Sequence, residues 1–370
     1  MRLLFVMQCT NLGGMEQCAL HSMVALKELG LECFVVSLNP LGQLKIHLDA
    51  AGIGAIGLPY RGPSGLVSLR RAHRAIADAK PDGIVMVGHN LMGMLALGRV
   101  ASAHRVLQVY FHHQGVKPAW QWRLLYALAV RRFRAITFPS DFIWREAAAI
   151  APAIELKAHT LRDGLEVPPV PESQSRRDAR LALGIPTDAF VVGNAGWLIQ
   201  RKRFDIFLRT AAELVKRRPD AVFVVAGDGP LRENLRKQAA DLGLAERVVW
   251  LGWLSDLRTF YLSLDALLFC SDWDAFPTTP LEAMTYAVPV VASVLHGGLD
   301  EVITTQDAGF LIPRHDYVTL ANELFHLSAD PHLAHAKGLS GRARVADLPG
   351  PASRAEELLS LLGLNAESRV

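Results

Sequence analysis

Residues 271–284, SDWDAFPTTPLEAM, hold three possible chemistries in one short stretch. Asp272 and Asp274 flank a single tryptophan, a spacing that can offer two carboxylates to one divalent cation. Asp274 and Glu282, with seven residues between them, make a second pair suited to accepting hydrogen bonds from hydroxyl groups without a metal. Thr279 to Glu282 also reads as a capping box with Pro280 at the first helical position, which gives Glu282 a purely structural use. Two carboxylates alone rarely complete the ligand set of a divalent ion, so the metal is the least favoured of the three.

Other stretches offer complementary groups. In GNAGWLIQRKRFD (193–205), Arg201, Lys202 and Arg203 stand where a helix begins, although a helix start disfavours positive charge. A bound polyanion such as a diphosphate would remove the conflict; a solvated basic turn is the alternative. AGDGPLRENL (226–235) gives a glycine turn at a strand end, with Gly227 and Gly229 able to approach a nucleotide. In TNLGGMEQ (10–17), Gly13 and Gly14 open a helix whose N-terminus favours negative charge. That loop is not GxGxxG and has no acidic ribose partner placed as in dinucleotide folds, which disfavours a nicotinamide cofactor. His112 and His113 end the run RVLQVYF (105–111); one of them is expected to meet a hydroxyl and the other to pack, and His89 after IVMVG has similar placing.

The elements that must position these groups alternate between apolar runs and amphipathic stretches. LLFVM (3–7), ECFVVSL (32–38), GIVMVG (83–88), RVLQVYF (105–111) and AITF (135–138) predict a first parallel sheet covered on both faces. GLEVPPVPESQSRRD (164–178), rich in Pro and Ser, reads as a linker. The alternation then restarts with AFVVGNAG (189–196), AVFVVAG (221–227), RVVWLG (247–252), ALLFC (266–270) and PVVAS (289–293). Two doubly wound α/β domains in series are expected, with ligands at the carboxyl ends of the strands in a cleft between them. The expected bounds are 1–165, 166–345, and a helical segment at 346–370 that crosses back to the first domain.

The chain has 370 residues, 51% of them hydrophobic, which suits two domains with a core each. Its net charge of +3, with no long basic block, argues against nucleic acid as a partner. No apolar run approaches the ~20 residues of a membrane helix. MRLLFVM has no small-residue cleavage site after it and reads as a first buried strand rather than a signal peptide. The four cysteines are scattered without a CxxC, so neither a metal site nor a disulfide framework is expected, and the chain is expected in the cytoplasm.

The ordered motifs GNAGWLIQRKRFD, AGDGPLRENL, VVWLGWL, SDWDAFPTTPLEAMTYAVPVVAS, HGGLDEV and GFLIP, over about 189–313, closely resemble the retaining nucleotide-sugar glycosyltransferases of family 4, of GT-B fold. NLGGMEQ resembles that family's Gly-Gly-x-Glu loop, and HTLRDGLEVPP (159–169) its segment leading into the linker. The resemblance implies a fold of two Rossmann-like domains, an acceptor-binding one and a donor-binding one. It also implies an E-x7-E element at Asp274 and Glu282 with no metal or other cofactor, the Asp272/Asp274 spacing then being coincidental. Glu282 would take the ribose hydroxyls, Asp274 the transferred sugar and Lys202 the phosphates, with a functional His at His112 or His113. Gly13, Gly14, Arg201, Arg203, Gly227, Gly229, Phe276, Thr278, Thr279, Pro280 and Leu281 would complete the donor site. Two departures stand out: Trp197 occupies the place of the family's arginine five residues before the lysine, and Asp274 replaces the usual Glu.

The implied activity is retaining transfer of a hexose, from a UDP-sugar ahead of a GDP-sugar, to a hydroxyl of a glycan, glycolipid or small molecule. A sugar-nucleotide epimerase of the same architecture and a non-catalytic sugar-nucleotide-binding subunit are the alternatives. Residues 117–135, KPAWQWRLLYALAVRRFRA, mix aromatics with Lys117, Arg123, Arg131, Arg132 and Arg134. That pattern fits either a helix lying on an anionic membrane at its inner face or an ordinary packed helix with solvated arginines.

Overall fold

The computed structural model describes residues 1–59, 66–98, 100, 104–111, 113 and 116–364, without the side chains of 66–68. The chain divides into two compact units, Met1–Gly164 with Pro349–Val370, and Leu165–Leu348. Each is built on an all-parallel sheet.

In the first unit the strands are β1 (Arg2–Met7), β2 (Glu32–Ser37), β3 (Gly54–Gly57), β4 (Gly83–Val87), β5 (His104–Gln108), β6 (Ala135–Phe138) and β7 (Ala158–Thr160). They lie in the order β3-β2-β1-β4-β5-β6-β7. Leu3, Leu4 and Phe5 have no exposed surface, because helices cover both faces of the sheet and every side chain of a central strand is buried. The strand order reverses beside β1, so the loop after β1 sits at the topological switch point, where parallel sheets take ligands.

The helix Pro351–Leu362 belongs to this unit and buries Leu358 and Leu362 in its core. Arg354 on that helix is fully enclosed. Its guanidinium lies 3.0 Å from Asp163 Oδ1 and donates to Tyr110 Oη at 2.7 Å, to the Arg162 carbonyl at 3.0 Å and to Ser22 Oγ. Cys18 Sγ donates to the other Asp163 oxygen at 2.8 Å. A buried ion pair keeps its charges only when such hydrogen bonds satisfy both partners.

The second unit has β8 (Val191–Ala195), β9 (Val222–Ala226), β10 (Val248–Gly252), β11 (Ala266–Phe269), β13 (Val290–Ser293) and β15 (Phe310–Ile312), ordered β10-β9-β8-β11-β13-β15. A separate two-stranded ladder joins β12 (Trp273–Asp274) to β14 (His296–Gly297). The order reverses between β8 and β11.

Several elements escape the sequence pattern. β3 and β7 are short and carry no continuous β-branched run, β15 is three residues long, and β12 and β14 have two each. The segment 164–178 is not all linker, since the helix Ser173–Ala182 begins within it. Arg180 anchors that helix by donating to Asp265 at 2.7 Å and to the Ser263 carbonyl at 3.0 Å. The strand ending at Gln108 stops short of the expected 111.

Candidate functional site

In the second unit, the loops leaving β8 and β11 bring the basic and acidic groups together. After β8 the chain makes a 3-10 turn, Gln200–Lys202, and Lys202 Nζ donates to Asp274 Oδ2. Arg201 Nη1 stands 3.6 Å from the same oxygen, and its guanidinium lies 4.6 Å from the Trp273 ring centroid. The backbone binds the loops as well: Asp272 N donates to the Arg201 carbonyl at 2.8 Å, and Thr279 Oγ1 to the Ala195 carbonyl at 3.2 Å. The ladder of β12 on β14 holds Asp274 from its other side. Gly297 must be glycine there, since a Cβ would fall 1.6 Å from the Asp274 carbonyl oxygen.

Arg203 does different work from its neighbours. It takes the left-handed conformation, φ +50°, before the helix Phe204–Val215. Its guanidinium donates twice to Asp205 at 2.9 Å and to Asp272 at 3.2 Å. Burial raises the Asp205 carboxyl, but hydrogen bonding and charge from Arg203 outweigh it and hold the group below its usual range. Carboxylates of the protein therefore answer part of the positive charge at this helix start, with Arg203 held by Asp205 and Asp272. Asp272, also 2.7 Å from His315 Nε2, faces that network, while Asp274 faces Lys202. Among the described residues no group of three His, Cys, Asp or Glu side chains is placed to hold a metal ion.

Glu282 does not cap its helix. The helix runs Thr278–Thr285, with Pro277 at the N-cap and no side-chain cap bond, so Pro280 is third rather than first. Glu282 Oε2 instead accepts from Tyr261 Oη at 2.7 Å. The capping box is corrected, and Tyr261 is a residue that sequence reasoning missed. Phe276, Pro280 and Leu281 are buried in the packing of this unit, and Thr278 and Thr279 are partly exposed.

Gly227 and Gly229 are explained by packing of backbone on backbone. A Cβ on Gly227 would lie 1.9 Å from the Gly196 carbonyl oxygen, and one on Gly229 2.6 Å from that of Leu198. Both have positive φ, 142° and 159°. Trp197, in the place of the expected arginine, meets Trp253 edge to face at 5.5 Å.

The first unit holds the remaining predicted residues. Gly13 is the N-cap of the helix Gly14–Glu28, and a Cβ there would strike Glu16 Oε2 at 2.5 Å. Glu16 is buried under this loop, and that burial raises its carboxyl. Gly14 has open space around its Cα. His113 is 2% exposed, with Nε2 2.5 Å from Tyr126 Oη and Nδ1 3.5 Å from Glu146, the packed surroundings expected of one histidine of the pair. His112 lies outside the described residues. His89 is wedged between Phe111 and Trp122, at 4.4 and 4.9 Å, and burial lowers its pKa to about 4.

Comparison with known proteins accounts for both units. Residues 175–344 match the family model described as "Glycosyl transferases group 1", and residues 13–164 match "Glycosyl transferase 4-like domain". The chain is 30% identical over 296 residues to the GDP-mannose-dependent alpha-(1-6)-phosphatidylinositol monomannoside mannosyltransferase of Mycolicibacterium smegmatis, covering 75% of each chain. It is 32% identical over 178 residues to the lipopolysaccharide core biosynthesis mannosyltransferase LpsB of Rhizobium meliloti, covering 46% of this chain and 50% of that one. Among solved structures, Anabaena Alr3699/HepE in complex with UDP-glucose superposes with a TM-score of 0.87 at 20% identity, over 98% of this chain and 99% of that one. WaaG, a glycosyltransferase involved in lipopolysaccharide biosynthesis, gives 0.78 at 15%, over 98% and 100%. The chain belongs to the GT-B glycosyltransferases of the family 4 type, and is an enzyme of that class using a nucleotide-sugar donor.

Proposed function

We propose that this enzyme transfers a hexose with retention of anomeric configuration, from a UDP-sugar, to a hydroxyl acceptor and without a metal ion. The observation that carries the reading is the convergence of Lys202, Arg201 and Asp274 at the switch point of the second sheet, with Glu282 on the adjoining helix. Lys202 and Arg201 supply charge for a diphosphate, Asp274 accepts from the transferred sugar, and Glu282 accepts from the ribose. The bond between the anomeric carbon and the diphosphate oxygen breaks. The acceptor oxygen bonds to the same face, and its proton passes to the leaving diphosphate. Catalysis is positioning plus stabilisation of charge on the departing phosphate, with no enzyme nucleophile. Metal independence is supported by the pairing of both candidate metal-binding acids with protein cations, Asp272 with Arg203 and Asp274 with Lys202.

GDP-mannose is a second donor reading, supported by the GDP-mannose-dependent relative at 30% identity. A panel of UDP- and GDP-sugars, read as nucleotide release with and without acceptors and with EDTA present, tests both. NMR of the product gives the anomer. Release that requires manganese or magnesium, or an inverted product, contradicts the proposal.

A lipid-linked acceptor at an anionic membrane surface belongs to the same reading. The helix Ala119–Arg132 buries Trp122, Leu125 and Tyr126 but leaves Trp120 62% and Leu124 57% exposed. Arg132 ties it to the helix Leu91–Leu97 by donating to the Met94 carbonyl at 2.6 Å, and Leu91, Met92 and Leu95 there are also exposed. No helix among the described residues is long and apolar enough to cross a membrane, so attachment would be peripheral. The protein is expected to sediment with anionic but not neutral liposomes at low salt, less so when Arg131 and Arg134 become Ser. Equal behaviour towards both lipids contradicts it.

A further inference from the structure

The hydrogen bond from Tyr261 to Glu282 has no counterpart in the sequence motifs, and its surroundings are those of a built support. Tyr261 lies on the short helix Arg258–Ser263 and is 2% exposed. Its hydroxyl reaches Glu282 Oε2 at 2.7 Å, and its ring stacks on Tyr286 with centroids 5.7 Å apart and planes at 18°. Tyr286 follows Glu282 by one helical turn, so a single tyrosine grips the same helix face at two points. The helix carrying Tyr261 is itself pinned to β8: a Cβ on Gly193 would meet Leu264 at 2.6 Å and Phe260 at 2.9 Å. Burial first, and then the Glu282 charge, push the Tyr261 hydroxyl well above its ordinary value, so it remains a donor at neutral pH. Glu282 is only partly buried, and its Oε1 has no protein partner among the described residues.

We propose that Tyr261 is a positioning residue for donor binding, holding the Glu282 carboxylate by one oxygen so that the other is presented to the ribose hydroxyls. The proposal rests on the reading of Glu282 as the ribose acceptor. A glutamate on a partly exposed helix face samples several rotamers, and ligand binding would have to freeze them. With one oxygen fixed by a buried phenol, that ordering is complete before the nucleotide arrives. Tyr261 touches no part of the substrate; it acts through the acid.

The test compares affinities for UDP and 2′,3′-dideoxy-UDP, and for GDP and its dideoxy form, using whichever ribonucleotide binds more tightly. The ratio of the two affinities reports the ribose hydroxyls alone and is insensitive to general loss of fold. Wild type is expected to prefer the ribonucleotide, and Glu282→Gln to lose most of that preference. Tyr261→Phe keeps the ring and its stack, and is expected to lower the ratio roughly threefold to tenfold, the range for one hydrogen bond. Replacing Tyr261 with 4-aminophenylalanine restores an N–H donor at the same place and is expected to restore the ratio, which also serves should the Phe variant fold poorly. A wild-type ratio near one overturns the ribose role of Glu282 itself. A ratio lost in Glu282→Gln but unchanged in Tyr261→Phe overturns the positioning role alone, as does a ratio that 4-aminophenylalanine leaves low.

Discussion

Lys202→Met separates what this lysine does for the fold from what it does for the diphosphate. Lys202 pairs with Asp274, and the two side chains are 13% and 19% exposed. Deleting one member of a fully buried pair costs about 3–5 kcal/mol, but Arg201 remains 3.6 Å from the same carboxylate, so about 1–2 kcal/mol is expected here. Losing a charged hydrogen bond to phosphate is worth about 1.5–3 kcal/mol, roughly a 10- to 150-fold fall in kcat/KM for the donor. Asp274→Asn gives the opposite sign for free nucleoside diphosphate. It releases Lys202 and removes a like charge from beside the phosphates, worth about 1 kcal/mol or roughly fivefold tighter binding, while turnover falls because the sugar loses its acceptor. Urea denaturation of the two single variants and the double gives the coupling in the fold, and donor turnover with nucleoside diphosphate titrations gives the rest. The double variant is expected to lose less stability than the sum of the singles while staying slow. Near-normal turnover in Lys202→Met, or weaker diphosphate binding in Asp274→Asn, refutes this reasoning.

Arg354→Met leaves the buried Asp163 carboxylate without its ion pair and is expected to lower stability by about 3–5 kcal/mol; Asp163→Asn in that background recovers part of it, measured by denaturation. His89 has its pKa lowered to about 4 by burial, then by Lys117 and His113, from an ordinary 6.5. The unfolded chain therefore binds the extra proton first, and stability is lost as pH falls from about 6.5 towards 4, by up to about 3 kcal/mol. His89→Asn is expected to flatten that part of the pH–stability curve, and an unchanged slope contradicts the assignment. Gly227→Ala forces a Cβ to within 1.9 Å of the Gly196 oxygen at positive φ and is expected to lose at least about 2 kcal/mol, visible as a lower melting temperature.

Two doubly wound units could be read from the sequence because buried parallel strands such as LLFVM, AFVVGNAG and ALLFC are continuous apolar runs. The edge strands Gly54–Gly57 and Ala158–Thr160 could not, since half-exposed short strands leave no such run. Lys202 and Asp274 were legible as residues, but their mutual contact joins loops 72 residues apart and only the sheet order brings them together. Glu282 was legible and its partner was not: the Thr–Pro–Leu–Glu spelling of a capping box describes only the local chain, whereas Tyr261 comes from another helix. Of the two acids that pair with Arg203, Asp205 is legible two residues on, whereas Asp272 comes from 69 residues away. Which histidine of the pair packs was not legible, because a histidine near a strand end looks the same in sequence whether it faces solvent or, as His113 does, Tyr126 and Trp122.

On the proposed reading, Lys202 and Glu282 together hold a nucleoside-diphosphate sugar without a metal ion. Calorimetric titration of the full chain with UDP-glucose and GDP-mannose in EDTA, repeated on the Lys202→Met/Glu282→Gln double variant, tests it most directly. Saturable binding of one donor to the wild-type protein is expected, weakened by roughly 100-fold or more in the double variant, as two lost charged hydrogen bonds require. Binding that appears only when magnesium or manganese is added, or that survives undiminished in the double variant, would contradict it.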